Sequence, residues 1–451
     1  MARVAGELRP PRAVLDIARR LRAAGHETWC VGGAVRDALL GIPSLDWDLA
    51  TAATPAQVMR LFRRTVPVGV EHGTVGVLDD DGVLHEVTTF RRDVRTDGRH
   101  AVVEFGASLD DDLARRDFTI NAIAYSPASG EVRDPFGGRE DLRRRVLRAV
   151  GDPAERMRED RLRALRAIRF AARFGFEIEP ATWSAIVASA PHLTRLSAER
   201  VKQEIEKTLE QVERPSWAFA RWQESGALAV VAPLLGRLSD AQLAALDCVR
   251  LPGRSHHPAR RSARQLTRLA LLALHLPRGA AERALRALRF SNDQIRWVGD
   301  VAERWTRLGP EVATALRAGE PVSDAQLRRW AAAAGRTRLA PLLRTASAYW
   351  GGERAVGTPA PDAAGVRGAY RRATRVAYRD PVELGDLAVD GDDLRAAGIP
   401  AGPLLGKILH ALLERVVEDP GLNTRERLLA LAPGLLARWG GGDGPPPSAQ
   451  H

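Results

Sequence analysis

Near residue 140 the hydrophobic pattern changes its period, and no single architecture accommodates both sides of that change. Before it, apolar residues come in short runs of strand character: "TWCV" ahead of a Gly-Gly pair, "SLDWDLAT", "GTVGVLDDDGVLHEVTTF" with an Asp-Gly turn between two apolar runs, and "FTINAIAYSPASGEVRDP" as strand, turn and strand. Helical patterns lie between them, at about 11–24 and after the Gly-Gly pair. From about Glu140 onward apolar residues recur at i, i+3 and i+4, with Ala, Leu and Arg dominant. The chain therefore reads as α+β, an α/β head followed by all-helical modules. At 451 residues it is too long for one core, and three or four domains are expected. "GGERAVGTPAPDAAGVRG", residues 351–368, reads as a linker or long loop. Ser291 or Asn292 is the expected N-cap of a long helix, and residues 441–451 read as a disordered tail.

Charge and apolar content narrow the function classes. No run of 18 apolar residues exists, so no membrane span or membrane partner is expected. The N-terminus lacks the apolar core of a signal peptide. Two cysteines, Cys30 and Cys248, suggest neither a disulfide framework nor a zinc site, and a cytoplasmic location is expected. Lys and Arg total 67 against 56 Asp and Glu, a net charge of +11 that suits a polyanionic partner.

Two motifs carry chemistry in the head. In "VGGAVRD", residues 31–37, a strand feeds Gly32 and Gly33 and then a helix. Glycines let backbone approach a ligand, and N–H groups at the helix start suit a triphosphate, with Arg36 as an added contact. A tight strand-to-helix turn is the plainer alternative. In "SLDWDLAT", Asp46 and Asp48 are two positions apart, so a strand would put both on one face. Adjacent carboxylates repel unless a cation lies between them, and hard oxygen donors suit Mg²⁺. The Gly-Gly pair followed by Asp-x-Asp resembles the nucleotidyltransferase superfamily related to DNA polymerase β. That resemblance implies two Mg²⁺ ions held by Asp46 and Asp48, a hydroxyl attacking an α-phosphate, and pyrophosphate leaving. Glu86 is the candidate third acid, with a salt-bridge role as its alternative.

Further segments follow in order: "DLARRDFTINAIAY" (112–125), "DPFGGREDL" (134–142), "EDRLRALRAIRFAARFGFEI" (159–178) and "LSAERVKQEIEKTL" (196–209), with a weaker match at 384–430. Together they resemble class II tRNA nucleotidyltransferases, the CCA-adding enzymes, and the related bacterial poly(A) polymerases. The resemblance implies a polymerase-β-like head (1–139), a nucleotide-selecting neck (140–215), a helical body (216–350) and a helical tail (351–440). It implies ATP, CTP and the tRNA 3′ end, acceptor stem and elbow as partners. It assigns nucleotide contacts to Gly32, Gly33, Arg36, Arg116, Asp160, Arg163, Arg166 and Arg169, and places Asp117 beside the catalytic acids. It further implies template-independent addition of C, C and A. An A-adding or poly(A)-adding enzyme, and a silent tRNA-binding protein, are the alternatives.

The neck also has a reading of its own. Asp160, Arg163 and Arg166, at i, i+3 and i+6, would lie along one side of a helix, with Leu162, Leu165 and Ile168 as core. An acid beside a guanidinium matches the donor–acceptor edge shared by cytosine and adenine and mismatches uracil and guanine. A surface ion pair is the plainer alternative. In the body, His275 is followed by Leu276, so the His-Asp pair of metal-dependent phosphohydrolases is missing.

Overall fold

The computed structural model describes residues 8–44, 46–96, 101–249 and 258–440. The tail at 441–451 and residues 97–100 lie outside the described residues. The chain divides into two compact units, Met1–Arg237 and Leu238–His451.

The first unit begins with a helix, Arg12–Ala23, that buries Val14, Ile17, Ala18 and Leu21. It leads into a mixed sheet of β1 (Thr28–Val31), β2 (Asp48–Thr51), β3 (Thr65–Gly69), β4 (Thr74–Leu78) and β5 (Leu84–Thr89), completed by two short strands described below. β1 is buried along its whole length, which explains its unbroken apolar pattern. The expected hairpin forms between β4 and β5, with Gly82 at φ +79° and the Val83 N–H donating to Asp79 Oδ1 at 2.8 Å. A separate antiparallel ribbon pairs β6 (Arg91–Thr96) with β7 (Ala101–Phe105). β8 (Ala124–Tyr125) and β9 (Val132–Arg133) complete the sheet, whose order is β3-β4-β5-β2-β1-β8-β9. The central pair β2–β5 is parallel and β1–β2 antiparallel.

The strand, turn and strand expected around 118–135 is more broken than its sequence suggests. Thr119–Asn121 forms one 3₁₀ turn, and the two strands are two residues each. The Thr119 hydroxyl donates to buried Asp141 at 2.7 Å, which draws the chain out of sheet geometry. A Cβ at Gly138 would lie 2.1 Å from the Thr119 carbonyl oxygen, so the helix Gly138–Arg144 packs directly on that turn.

The second unit is helical throughout its described residues. Ser291 caps the helix Asn292–Arg317, accepting from the Gln294 N–H while the Gln294 side chain accepts from the Ser291 N–H at 3.0 Å. His275 packs edge-on against Tyr349, with ring centroids 4.8 Å apart, and burial lowers its pKa. The linker expected at 351–368 is instead largely helix. Arg336–Ala355 runs into it, and Ala363–Arg379 takes up its end. Gly351 and Gly352 are there for close packing against the helix Asp240–Asp247. A Cβ at Gly352 would fall 2.2 Å from Ala241 O and 2.6 Å from Ala245 N.

Two glycine substitutions separate these roles. Gly352→Ala drives a methyl into backbone that cannot yield, and is expected to cost about 3 kcal/mol. Gly368→Ala, in open space within the helix Ala363–Arg379, is expected to gain up to about 1 kcal/mol. Thermal or urea unfolding of the two variants checks both signs.

Candidate active site

Strand register assembles the acidic centre. Val31, the last residue of β1, pairs with Asp48, the first of β2. On the other side of β2, Leu49 pairs with Val87, so Asp48 and Glu86 are neighbours one position earlier on parallel strands and share a face. Asp46 is not on the strand, contrary to expectation. It precedes β2 in irregular chain and is exposed. Its place is fixed by Trp47, which is buried and donates from Nε1 to Ser44 O at 3.0 Å. The irregular chain held by Trp47, rather than the pleat, therefore puts Asp46 beside Asp48.

The electrostatics confirm the crowding. Burial first, then the charges of Asp46 and Glu86, push Asp48 up to about 6 against the opposing pull of Arg116. Cys30, buried on β1 and then repelled by Asp48, is pushed up to about 12, which makes it useless as a nucleophile. Gly32 adopts φ +74°, and a Cβ there would meet Arg116 Nη1 at 2.9 Å and Asp48 Oδ2 at 3.9 Å. Gly32, Asp48 and Arg116 thus converge on one point. Gly33 opens the helix Gly33–Leu39. Arg116 donates from Nη2 to Asp112 at 3.0 Å, while its buried Nε has no partner among the described residues.

The remaining arginines form a second, mostly internal network. The helix expected to run through Asp160 breaks there. Pro153–Glu159 ends, Asp160 takes φ −144° and ψ 105°, and Leu162–Phe174 begins. Asp160 causes the break by capping the new helix, its Oδ1 accepting from the Leu162 N–H at 3.0 Å. Its Oδ2 accepts from Arg200 at 2.7 Å. Leu162, Leu165 and Ile168 are buried as expected. Arg163 is buried too, donating to Glu159 at 2.6 Å and to the carbonyls of Arg156 and Arg115. Arg169 pairs with Glu204 at 2.6 Å, both almost fully buried. Arg166, by contrast, remains part-exposed and pairs with Asp117 at 2.7 Å.

Asp117 faces this network. Burial alone would raise its pKa, but Arg166, the Asn121 amide at 2.9 Å and Arg163 outweigh it and hold it at about 2. Arg36 is buried beneath, donating to Asp37 at 2.6 and 2.8 Å and to Asn121 Oδ1 at 2.6 Å, its guanidinium 4.6 Å from the Phe174 ring centroid. The structure thus brings Gly32, Asp46, Asp48, Glu86 and Arg116 together, and sets Arg36, Asp117, Arg163, Arg166 and Arg169 in an adjoining framework. Sequence reasoning missed Asp112, Arg200 and Glu204. Glu204 had a signal, since it occupies a core position with Val201, Ile205 and Thr208 on the helix Ala198–Gln211.

Among the described residues, no three His, Cys, Asp or Glu converge closely enough to cage a metal by themselves. Mg²⁺ is ordinarily held by one or two carboxylates plus substrate phosphates and retained waters. Asp46 and Asp48 supply such donors.

Asp48 carries its own stability test. Its folded-state pKa of about 6 lies above the ordinary 3.8, so ionising it costs stability that is lost as pH rises through about 6. In chelator, Asp48→Asn is expected to match the wild type near pH 4 and exceed it by about 3 kcal/mol at pH 8. Chemical denaturation at the two pH values reads the difference.

Comparisons with known proteins follow the same outline. A model of the "Poly A polymerase head domain" matches residues 28–148. One described as "Probable RNA and SrmB-binding site of polymerase A" matches 175–238. A tRNA nucleotidyltransferase domain 2 model matches 379–432. The CCA-adding enzyme of Limosilactobacillus fermentum is 36% identical over 450 residues, spanning 95% of this chain and 98% of that enzyme. The CCA-adding enzyme of Geobacillus stearothermophilus is 36% identical over 429 residues, 94% of this chain and 97% of that one. The crystal structure of the Bacillus stearothermophilus CCA-adding enzyme in complex with CTP superposes with a TM-score of 0.71 at 35% identity, covering 96% of this chain and 98% of that one. The Thermotoga maritima CCA-adding enzyme complexed with tRNA shares the fold, with a TM-score of 0.63 at 20% identity over 94% of each chain. With nearly its whole length matched in this way, the chain belongs to the CCA-adding enzyme family.

Proposed function

We propose that this chain adds C, C and A to the 3′ end of tRNA from CTP and ATP, without a nucleic-acid template, releasing pyrophosphate. The observation that carries the reading is Asp48 placed at the Gly32 turn, within the field of Asp46 and Glu86, in a chain matched over its length by CCA-adding enzymes. The tRNA 3′-hydroxyl oxygen bonds the α-phosphorus, the α–β phosphoanhydride bond breaks, and the hydroxyl proton is lost to solvent. Mg²⁺ held by Asp46 and Asp48 would supply charge neutralisation at the reacting phosphate. Glu86 adds to the field that favours a cation there. Gly32 leaves room for the Arg116 guanidinium at the turn, where it would meet a triphosphate.

Selection falls to the neck. Asp160 and Arg166 keep about 27% and 30% of their side chains exposed, which supports their reading a base edge. Arg163 and Arg169 hold the helix that presents them, and Arg36 and Asp117 brace it from the head. Asp117 is thus a positioning residue for Arg166. The body and tail would carry the acceptor stem and elbow, with the reaction taking place in the cytoplasm. No helix among the described residues is long and apolar enough to cross a membrane.

The test uses tRNA transcripts ending at the discriminator base, at C74 and at C75, with Mg²⁺ and each labelled NTP. Two C additions and then one A, with UTP and GTP refused, are expected on a sizing gel. Asp46→Asn and Asp48→Asn should each lose at least about a hundredfold in rate. Addition of A alone to the CC-ending transcript would make it an A-adding enzyme, and long A tracts a poly(A) polymerase.

A further inference from the structure

Three acids stand in a row in the first turn of the helix Leu109–Ala114, and each has its own partner. Asp110 pairs with Arg133 at 2.6 Å near the surface. Asp111 completes the capping box, accepting from the Ser108 N–H at 3.0 Å. Asp112 turns inward and is 1% exposed. Its Oδ1 accepts from Arg115 Nε at 3.0 Å and Nη2 at 2.8 Å, and its Oδ2 from Arg116 Nη2 at 3.0 Å. Spacings of three and four residues bring both arginines to the one carboxylate. The backbone beside them is held as well. Arg156 donates to Ala114 O at 3.1 Å and Arg163 to Arg115 O at 2.9 Å, from the two helices that flank Asp160.

Arg116 stands between two carboxylates. Its Nη2 is bonded to Asp112, while its Nη1 and Asp48 Oδ2 lie 2.9 and 3.9 Å from the place a Gly32 Cβ would take. Burial and the neighbouring acids raise Asp48, and the charge of Arg116 pulls against them. Yet the ion pair that Arg116 makes among the described residues is with Asp112, and none joins it to Asp48. A guanidinium released from Asp112 would find a crowded carboxylate within reach.

We infer that Asp112 is a positioning residue that withholds Arg116 from Asp48, so that the Asp48 carboxylate stays open to the metal ion. The inference rests on the reading of Asp46 and Asp48 as Mg²⁺ donors, and adds the device that keeps one of them available. Two features favour it over a tie that merely closes a short helix. Arg115 alone would supply such a tie, but Asp112 reserves its second oxygen for Arg116. Gly32, at φ +74°, puts no side chain between Arg116 and Asp48, so the bond to Asp112 is what holds the two apart.

The experiment reads metal binding without turnover. Mn²⁺, as the probe, is titrated against the full chain with no nucleotide or RNA, and the free ion is followed by electron paramagnetic resonance. Asp48→Asn should lose most of the wild-type binding. Asp112→Asn should weaken it by about tenfold or more. Adding Arg116→Gln to Asp112→Asn should return the affinity to that of Arg116→Gln alone, whereas adding Arg115→Gln should leave it weak. Asp112→Glu, which keeps the charge, should stay near wild type. Asp112→Asn that melts at a lower temperature but binds Mn²⁺ like the parent would overturn the inference. So would a loss that Arg116→Gln does not relieve, or that Arg115→Gln relieves equally well. Crystal structures of the wild-type chain, with and without Mn²⁺, need no stable variant. Arg116 is expected on Asp112 in both, and Arg116 bonded to Asp48 in either would contradict the role. Wild-type Mn²⁺ binding in Asp48→Asn would instead defeat the metal reading, and this inference with it.

Discussion

The ion pair between Asp117 and Arg166 is the joint on which the candidate site depends. It ties the segment that follows Arg116 to the helix Leu162–Phe174. Its members are largely withdrawn from water, so each charge needs the other. Removing one partner of such a pair commonly costs 3–5 kcal/mol, because the survivor is left uncompensated. The joint does not act alone. Asn121 donates to Asp117 and accepts from Arg36, Arg36 grips Asp37, and Arg173 approaches Asp37 at 3.6 Å. Arg36 also lies over the rings of Phe170 and Phe174. A continuous polar and aromatic seam thus fixes the neck helix relative to the Gly-Gly turn.

Two buried carboxylates of the head are driven in opposite directions. Asp117 is held at about 2 by its cationic partners, and Asp48 is pushed to about 6 by burial and its acidic neighbours. Environments that separate like groups this far separate their roles as well. Asp117 is satisfied by protein alone and gains nothing from a metal. Asp48, raised by burial and by Asp46 and Glu86, is the one of the two that a cation would relieve. The fold accepts that electrostatic cost at the junction of β1 and β2, where the absence of a side chain on Gly32 lets Arg116 come close to Asp48.

Much of this was legible in the residues. The α+β division, the β4–β5 hairpin, the Ser291 cap and the buried Leu162, Leu165 and Ile168 follow from periodicity and turn chemistry, which are local. What failed was non-local. Gly351 and Gly352 looked like punctuation because a glycine that breaks a helix and one that admits a neighbouring helix are the same letter. Asp160 looked helical because its spacing to Arg163 and Arg166 is helical, whereas its side chain preferred the cap. Asp46 and Asp48 do come together, but through Trp47 anchoring the preceding turn. The partners of Arg169 and Asp160, Glu204 and Arg200 respectively, lie on a helix tens of residues away, where spacing carries no information.

Asp117→Asn tests the positioning role most directly, because the amide keeps the shape and removes the charge that holds Arg166. The quantity to measure is the ratio of UMP to CMP incorporated on a transcript ending at the discriminator base, alongside the rate with CTP. If Asp117 acts through Arg166, the ratio rises by about tenfold or more, and the CTP rate falls far less than in Asp48→Asn. An unchanged ratio with a CTP rate as low as that of Asp48→Asn would place Asp117 in the chemistry itself and contradict the role derived from its ion pair.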